Sequence, residues 1–354
     1  MAVKEPLRRS NNESVFLQAC RRQPVPYTPV WIMRQAGRYL PEYRELRSKT
    51  DFLTLIHRAD LAAEATLQPL RRYPLDAAIL FSDIMTPLEA MGVGLEFDPG
   101  PIVREPIRTP AQVDALPALD AQRDVPFVLE AVRLVRAGLP HGIPLIGFAG
   151  APFTLLCYLV CGGPSKEFSA ARAFLYAQPD TAERLIDRLA DAMAAYLSAQ
   201  AAAGAEALML FESWAGLLGP HEYRRFALRG ARRVFAALAP LGVPLIYYVN
   251  QGWALMQAVS ELDVDVVGVD WRSPLGAARR ALGDGKAVQG NLDPAALFAA
   301  PDELLRHIDR VLGEAGPVGH IFNLGHGIWP ETDPDAVARM IDHVHERTAR
   351  SRGA

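Results

Sequence analysis

Arg34 and Arg38 stand four residues apart just after the apolar run 30–33, with Gly37 between them. Their guanidiniums are permanent cations whose planar forks of donors match carboxylate oxygens in pairs, and a glycine there lets the backbone come close or take a positive φ. The segment stays basic through Arg44 and Arg47, although the whole chain carries a net charge of −3. Such residues in this order read as a site for an anion, a carboxylate foremost. Further polar residues follow the apolar runs downstream: Ser82 and Asp83; Gly147, Gly150 and Thr154; Glu212 and Ser213; Asn250 and Gln251; Asp270; Asn291; Gly325 and His326. Any one of them could simply cap the next helix. Their recurrence after nearly every run points to one shared site.

The elements that must position these residues are short apolar runs alternating with alanine- and leucine-rich amphipathic stretches, as expected of βα units. Eight runs are visible, at 30–33, 77–81, 144–148, 207–211, 244–249, 266–269, 287–289 and 320–324. Helices are expected at 181–203 with Asp180 as N-cap, at 221–239, 275–282 and 301–313, and at 333–350, where Asp333 caps and Pro334 takes the first helical position. The predicted fold is α/β: a single (β/α)8 TIM barrel with its chemistry at the C-terminal strand ends. Residues 1–28 form an N-terminal extension, 29–350 the barrel, and the connection 92–142 between the second and third strands holds extra elements. The whole of 1–354 reads as one domain.

Composition narrows the function. The chain has 354 residues, 50% hydrophobic and 22% charged, as in an ordinary globular protein. No basic run could supply the phosphate contacts of nucleic-acid binding. No window approaches the roughly 20 apolar residues of a spanning helix, and residues 1–15 lack the apolar core of a signal peptide, so no membrane partner is expected. Cys20, Cys157 and Cys161 are odd in number and read as free thiols in a reducing cytoplasm. Cys157 and Cys161 have no histidine near them, and His343 and His345 fall on different faces of one helix and are expected at the surface, so no metal site is predicted.

The segment Pro29-Val30-Trp31-Ile32-Met33-Arg34-Gln35-Ala36-Gly37-Arg38-Tyr39-Leu40-Pro41-Glu42-Tyr43-Arg44 is similar to the N-terminal signature of the uroporphyrinogen decarboxylases of haem biosynthesis. Gly147-Phe148-Ala149-Gly150-Ala151-Pro152-Phe153-Thr154 resembles that family's second signature. Phe81-Ser82-Asp83-Ile84, Phe211-Glu212-Ser213 and Asn323-Leu324-Gly325-His326-Gly327 agree as well, so the resemblance spans the chain. It implies a single barrel, a homodimer, no metal and no organic cofactor. The implied reaction converts uroporphyrinogen III to coproporphyrinogen III by removing four acetate carboxyls as carbon dioxide.

That chemistry can be set against the residues. Loss of carbon dioxide from an acetate arm leaves an electron pair, and a pyrrole protonated at the ring carbon next to the arm accepts it. The protein must then supply a proton donor, a fixed anion for the transient cation and cationic anchors for the substrate carboxylates. Asp83 suits the anion: an ionised carboxylate in an apolar pocket accepts pyrrole N–H groups and stabilises developing positive charge. The resemblance assigns the matching aspartate this role. Arg34 and Arg38 could clamp carboxylates or assist protonation, although a guanidinium with a pKa above roughly 12 is a poor general acid near neutral pH. The signature carries Gln35, Ala36 and Gly37 over as substrate contacts beside the two arginines. Tyr158 is similar to a family tyrosine that touches substrate and the aspartate, and Ser213 and His326 match further binding positions. The glycines on either side of His326 suggest a flexible backbone. Two rival functions share parts of this pattern: a zinc-dependent methyltransferase, which needs a histidine and cysteines at strand ends, and a non-catalytic tetrapyrrole carrier, which could dispense with Asp83.

Overall fold

Strands buried on both faces read as continuous apolar runs, and seven of the eight runs form such strands. The structure is a computed structural model that describes residues 14–97 and 100–349. Nine strands occur among them: β1 (Ala78–Ile79), β2 (Leu95–Phe97), β3 (Pro101–Val103), β4 (Leu145–Gly150), β5 (Ala207–Glu212), β6 (Leu245–Val249), β7 (Val266–Val269), β8 (Ala287–Gln289) and β9 (His320–Ile321). Seven make one parallel sheet in the order β1-β4-β5-β6-β7-β8-β9, and β2 and β3 pair separately as an antiparallel hairpin. Register is regular across the centre, with Gly150 opposite Phe211 and Glu212 opposite Val249. The C-termini of these seven strands therefore point the same way.

The run at 30–33 forms a single parallel bridge, Val30 to Phe322, rather than a strand. Side chains have taken over its ladder bonds. Val30 N–H donates to the Asp76 carboxylate at 2.8 Å and Met33 N–H to Asn323 Oδ1 at 3.0 Å. Backbone bonds remain on both flanks: Phe322 N–H to the Pro29 carbonyl at 2.9 Å on one, and Asp76 N–H to the Val30 carbonyl, also at 2.9 Å, on the other.

The helices cover the sheet. Pro179–Ala203 buries Leu185, Ile186, Leu189, Met193, Tyr196 and Leu197 at helical spacing. Asp180 lies in its first turn and makes no cap bond; the flanking residue is Gln178, with Pro179 at the first position. Near its end the buried Gln200 clamps β4, accepting from Phe148 N–H and donating to Phe148 C=O, both at 3.0 Å. Gly147 makes room for this amide, because a Cβ there would lie 2.7 Å from Gln200 Oε1. The helix expected at 221–239 is interrupted by a π-turn at Tyr223–Ala227 before continuing as Leu228–Leu238. Asp333 caps Pro334–Thr348 as expected, accepting from Asp335 N–H.

Asp76 ties the chain's beginning to its end. Its carboxylate takes bonds from Tyr27 Oη (3.0 Å) and Val30 N–H (2.8 Å), and His345 Nε2 lies 2.8 Å away. His345 is therefore buried beneath the residues before the first bridge, not at the surface as its helix position suggested. Residues 1–13 of the expected extension and Arg350 at the expected helix end lie outside the described residues.

Candidate active site

Arg34 occupies the left-handed region, with φ of 65°, a conformation that costs a non-glycine residue on the order of 1 kcal/mol or more. Both neighbours hold it there. Met33 donates to Asn323 Oδ1 and its carbonyl accepts from Ile328 N–H at 3.0 Å. Gln35 spends its side chain on the backbone, with Oε1 accepting from Ile32 N–H (3.1 Å) and Nε2 donating to Ala77 C=O (3.3 Å), while its carbonyl accepts from Tyr39 Oη. Gly37 has an ordinary φ; its role is close approach, since a Cβ would sit 3.0 Å from the Arg34 carbonyl. The side chain of Arg34 lies across Gly327, where a Cβ would stand 2.4 Å from Arg34 Cδ. Gly325 likewise packs on the Trp271 backbone. The two glycines around His326 thus serve close packing, and neither has a positive φ.

This turn and the C-terminal ends of β1, β4, β5, β6 and β9 enclose a cavity of about 370 Å³. Of the residues singled out from sequence, Arg34, Gln35, Ala36, Ser82, Asp83, Tyr158, Ser213, Asn250 and His326 line it; Gly37 and Arg38 do not. Arg38 is exposed, and its charge, with that of Arg47, bears on the Tyr43 phenol, whose ring packs 5.5 Å from Phe81 on the cavity wall. Sequence reading missed the aromatic character of the wall: Phe148 meets Phe211 edge-on at 5.6 Å, and Phe211 meets Tyr248 at 5.8 Å. The available signal was an aromatic residue at nearly every strand end.

Asp83 follows β1 and is the carboxylate of this wall. Its Oδ1 accepts from Met85 N–H at 2.8 Å, holding the turn into the next helix, and among the described residues no donor meets Oδ2. The carboxyl opens partly to the cavity yet is closely surrounded by protein. That burial raises its pKa to about 6, against the Met85 bond and the nearby Arg34 charge, which both lower it. Tyr158 stacks edge-on against Phe168 and Trp214, and burial raises its phenol pKa. His326 goes the other way: burial, reinforced by Arg34 and Arg272, lowers it to about 4. It presents a neutral imidazole to the cavity at neutral pH.

A second layer lies behind. Ser213 N–H donates to Thr154 Oγ1 at 2.8 Å, and Thr154 Oγ1 donates to the fully buried Glu212, whose carboxyl is raised by burial to about 7. Asn250 donates to the Ser213 carbonyl. Asp270 is likewise structural, accepting from Gly252 N–H, Arg272 N–H and Ser273 Oγ, and Asn291 donates to the carbonyls of Asp270 and Ser273. These residues shape the wall without lining it, apart from Ser213 and Asn250.

The model of the uroporphyrinogen decarboxylase family matches residues 11–347. The chain belongs to the uroporphyrinogen decarboxylase family. It is 51% identical over 334 residues to the uroporphyrinogen decarboxylase of Syntrophotalea carbinolica, covering 94% of this chain and 97% of that one. To the enzyme of that name from Streptomyces griseus it is 50% identical over 352 residues, covering 99% and 96%. Among solved structures it is similar to a methyltransferase from Methanosarcina mazei, with a TM-score of 0.79 at 18% identity over 94% of this chain and 97% of that one. A B12-independent methionine synthase from Shewanella superposes with a TM-score of 0.59 at 12% identity, covering 82% and 86%. Likeness at such identities speaks to the fold alone.

Proposed function

We propose that this uroporphyrinogen decarboxylase family member is a carboxy-lyase that removes the four acetate carboxyls of uroporphyrinogen III, giving coproporphyrinogen III and carbon dioxide. The observation that carries this reading is Asp83, a carboxylate with one oxygen unmatched by any described donor, set in an aromatic cavity beside the guanidinium of Arg34. Asp83 accepts the pyrrole N–H groups and, ionised above pH about 6, offsets the cation formed when a proton adds to the ring carbon next to the acetate arm. The C–C bond to the carboxylate then breaks, its electron pair enters the ring system, and carbon dioxide leaves. A proton taken up at the exocyclic carbon and one lost from the ring carbon give the methyl group, so each turn consumes one proton. Arg34 anchors a substrate carboxylate. Tyr158 bears on substrate and Asp83, and Ser213 and His326 supply neutral polar contacts. Gln35, Ala36 and Gly37 shape the turn against the substrate, and Arg38 adds a rim cation.

The architecture fits a complete (β/α)8 barrel as one domain, with residues 1–28 as an extension and 29–350 as the barrel; the backbone bonds on both flanks of 29–32 support closure. The elaborated connection between the second and third barrel strands holds the β2–β3 hairpin and the helices Pro110–Ala115, Ala121–Asp124 and Pro126–Gly138. A homodimer is favoured by exposed aromatics after the strand ends: Phe298 and Trp329, 5.6 Å apart, and Trp253. The unpaired cysteines suit the cytoplasm. No helix among the described residues is long and apolar enough to cross a membrane. Among those residues no three His, Cys, Asp or Glu side chains are grouped to hold a metal ion, so the donor set that zinc-dependent methyl transfer requires is not assembled. Anaerobic incubation with uroporphyrinogen III, followed by oxidation and chromatography, should show seven-, six-, five- and four-carboxyl porphyrins in turn. Binding without carboxyl loss would instead support the carrier.

A further inference from the structure

We infer that Arg272 is an additional carboxylate anchor at the cavity rim, held out toward an arm of the substrate by stacking on Trp271. This rests on the proposed polycarboxylate substrate. Arg272 directly follows the buried strand-end residue Asp270 and Trp271, and its guanidinium carbon lies 3.7 Å from the centroid of the Trp271 ring. Trp271 in turn meets the His326 ring edge-on at 5.9 Å, and His326 lines the cavity. The Trp271 backbone is fixed beneath, because it fills the space that a Cβ on Gly325 would need. A stack of this kind restrains a long side chain while leaving its donor edge open.

Among the described residues the Arg272 donors meet no hydrogen-bond acceptor. Among those residues the one carboxylate paired with the guanidinium is Asp270 at 3.8 Å, beyond hydrogen-bond reach and already engaged with Gly252, Ser273 and the Arg272 backbone. Other arginine groupings on the surface differ in this respect: Arg224, Arg225, Arg229, Arg232 and Arg233 all pair with Glu183, Asp187, Asp191 or Glu261. Arg272 also acts on the cavity through its charge, lowering the pKa of His326 and opposing the rise at Tyr248. Of the described cavity-lining residues, Arg34 alone carries a permanent positive charge, whereas the substrate carries many carboxylates spread around its periphery. A second anchor one ring outside the wall suits an outward-pointing arm.

The test is Arg272→Gln against Arg310→Gln, a surface change elsewhere that removes the same charge from a Glu314 pair. Turnover of uroporphyrinogen III is measured with kcat and KM separated, alongside binding of uroporphyrin III, the oxidised form whose conjugated ring offers no electron-rich pyrrole to protonate. Loss of one charge-assisted contact should weaken uroporphyrin binding and raise KM roughly 5- to 10-fold with kcat within about twofold, and Arg310→Gln should leave both unchanged. An unchanged affinity, or an equal loss in Arg310→Gln, would overturn the assignment, as would an effect that disappears at high protein concentration with a change in sedimentation, which places Arg272 in a subunit contact. If the unaltered protein binds uroporphyrin without decarboxylating the reduced form, the reaction fails while the Arg272 comparison still reads out in affinity. If it binds neither form, both fall.

Discussion

Gly327→Ala tests whether the conformation of Arg34 governs the chemistry. The added methyl would sit 2.4 Å from Arg34 Cδ and 2.9 Å from its Cγ and Nε. Non-bonded carbons settle about 3.5–4.0 Å apart, so the stem of Arg34 must move by on the order of 1 Å. Gly327 does not use a positive φ, so alanine fits its backbone, and the obstructing atoms belong to an exposed, flexible side chain that can swing away. Gly327 is itself buried, so the added methyl should cost about 1 kcal/mol, the low end for overpacking, because the displaced side chain can move into solvent. A 1 Å misplacement of a positioning group costs about 100-fold in rate, or about 2.7 kcal/mol of barrier. The expected result is kcat/KM for uroporphyrinogen III down by roughly one to two orders of magnitude with the melting temperature lowered by no more than about 3 °C. The decisive control is the double variant with Arg34→Ala: if Gly327 acts through Arg34, adding Gly327→Ala to Arg34→Ala costs nothing further. Equal penalties on both backgrounds, followed by uroporphyrin binding where turnover is too slow, would refute the reasoning, as would wild-type activity in Gly327→Ala alone.

Asp83→Asn should lower kcat by an order of magnitude or more and also stabilise the fold near pH 7.5. Because the folded pKa of about 6 lies above the ordinary aspartate value of about 3.9, ionisation costs stability progressively as pH rises between these values. At about 1.4 kcal/mol per unit, discounted for the opening to solvent, the asparagine gains roughly 1–2 kcal/mol above pH 6 and nothing near pH 3.5; urea titrations at both pH values would expose an error of sign. The pH dependence of kcat/KM should show an ascending limb near pH 6 from Asp83, still present in His326→Gln because His326 titrates near 4; disappearance of the limb in that variant would reassign it. Asn323→Ala strips the acceptor from the buried Met33 and Leu324 N–H groups. Chemical denaturation should report a loss of roughly 2–4 kcal/mol together with a raised KM, as the Arg34 turn loses one of its ties.

Much of the sheet was legible because two-sided burial leaves a plain mark: the runs at 207–211, 244–249 and 266–269 are apolar throughout and became β5, β6 and β7 within a residue or two. The run at 30–33 looked the same and became a bridge, because Asp76 and Asn323, distant in sequence, supply its partners. Periodicity could not reveal the π-turn at Tyr223–Ala227, since the apolar spacing on either side still suits a helix. Asp83, Tyr158, Ser213 and His326, singled out by residue type and by the family resemblance, line one cavity. The left-handed conformation of Arg34 was not visible in the sequence, as Gly37, three residues on, was the obvious bearer of a positive φ. Gly327 was hidden for a related reason: a glycine in a sequence does not say which atoms its missing Cβ admits, and here they belong to a residue about 290 positions away.

One aromatic-walled cavity shifts its acid and its base in opposite directions, and this accounts for the charge states of the residues on its wall. Burial favours the neutral form of both Asp83 and His326, raising one pKa and lowering the other. Arg34 opposes the first shift and adds to the second, since a nearby cation stabilises a carboxylate and destabilises an imidazolium. Above pH about 6 the wall therefore holds one anion, one cation and a neutral imidazole. Exchanging any one alters the others: removing the Arg34 charge should move the Asp83 limb upward in pH and the His326 titration upward as well. An arginine that merely bound substrate from a distance would shift neither, so titration of the two groups in Arg34→Ala separates an electrostatically coupled site from a collection of independent contacts.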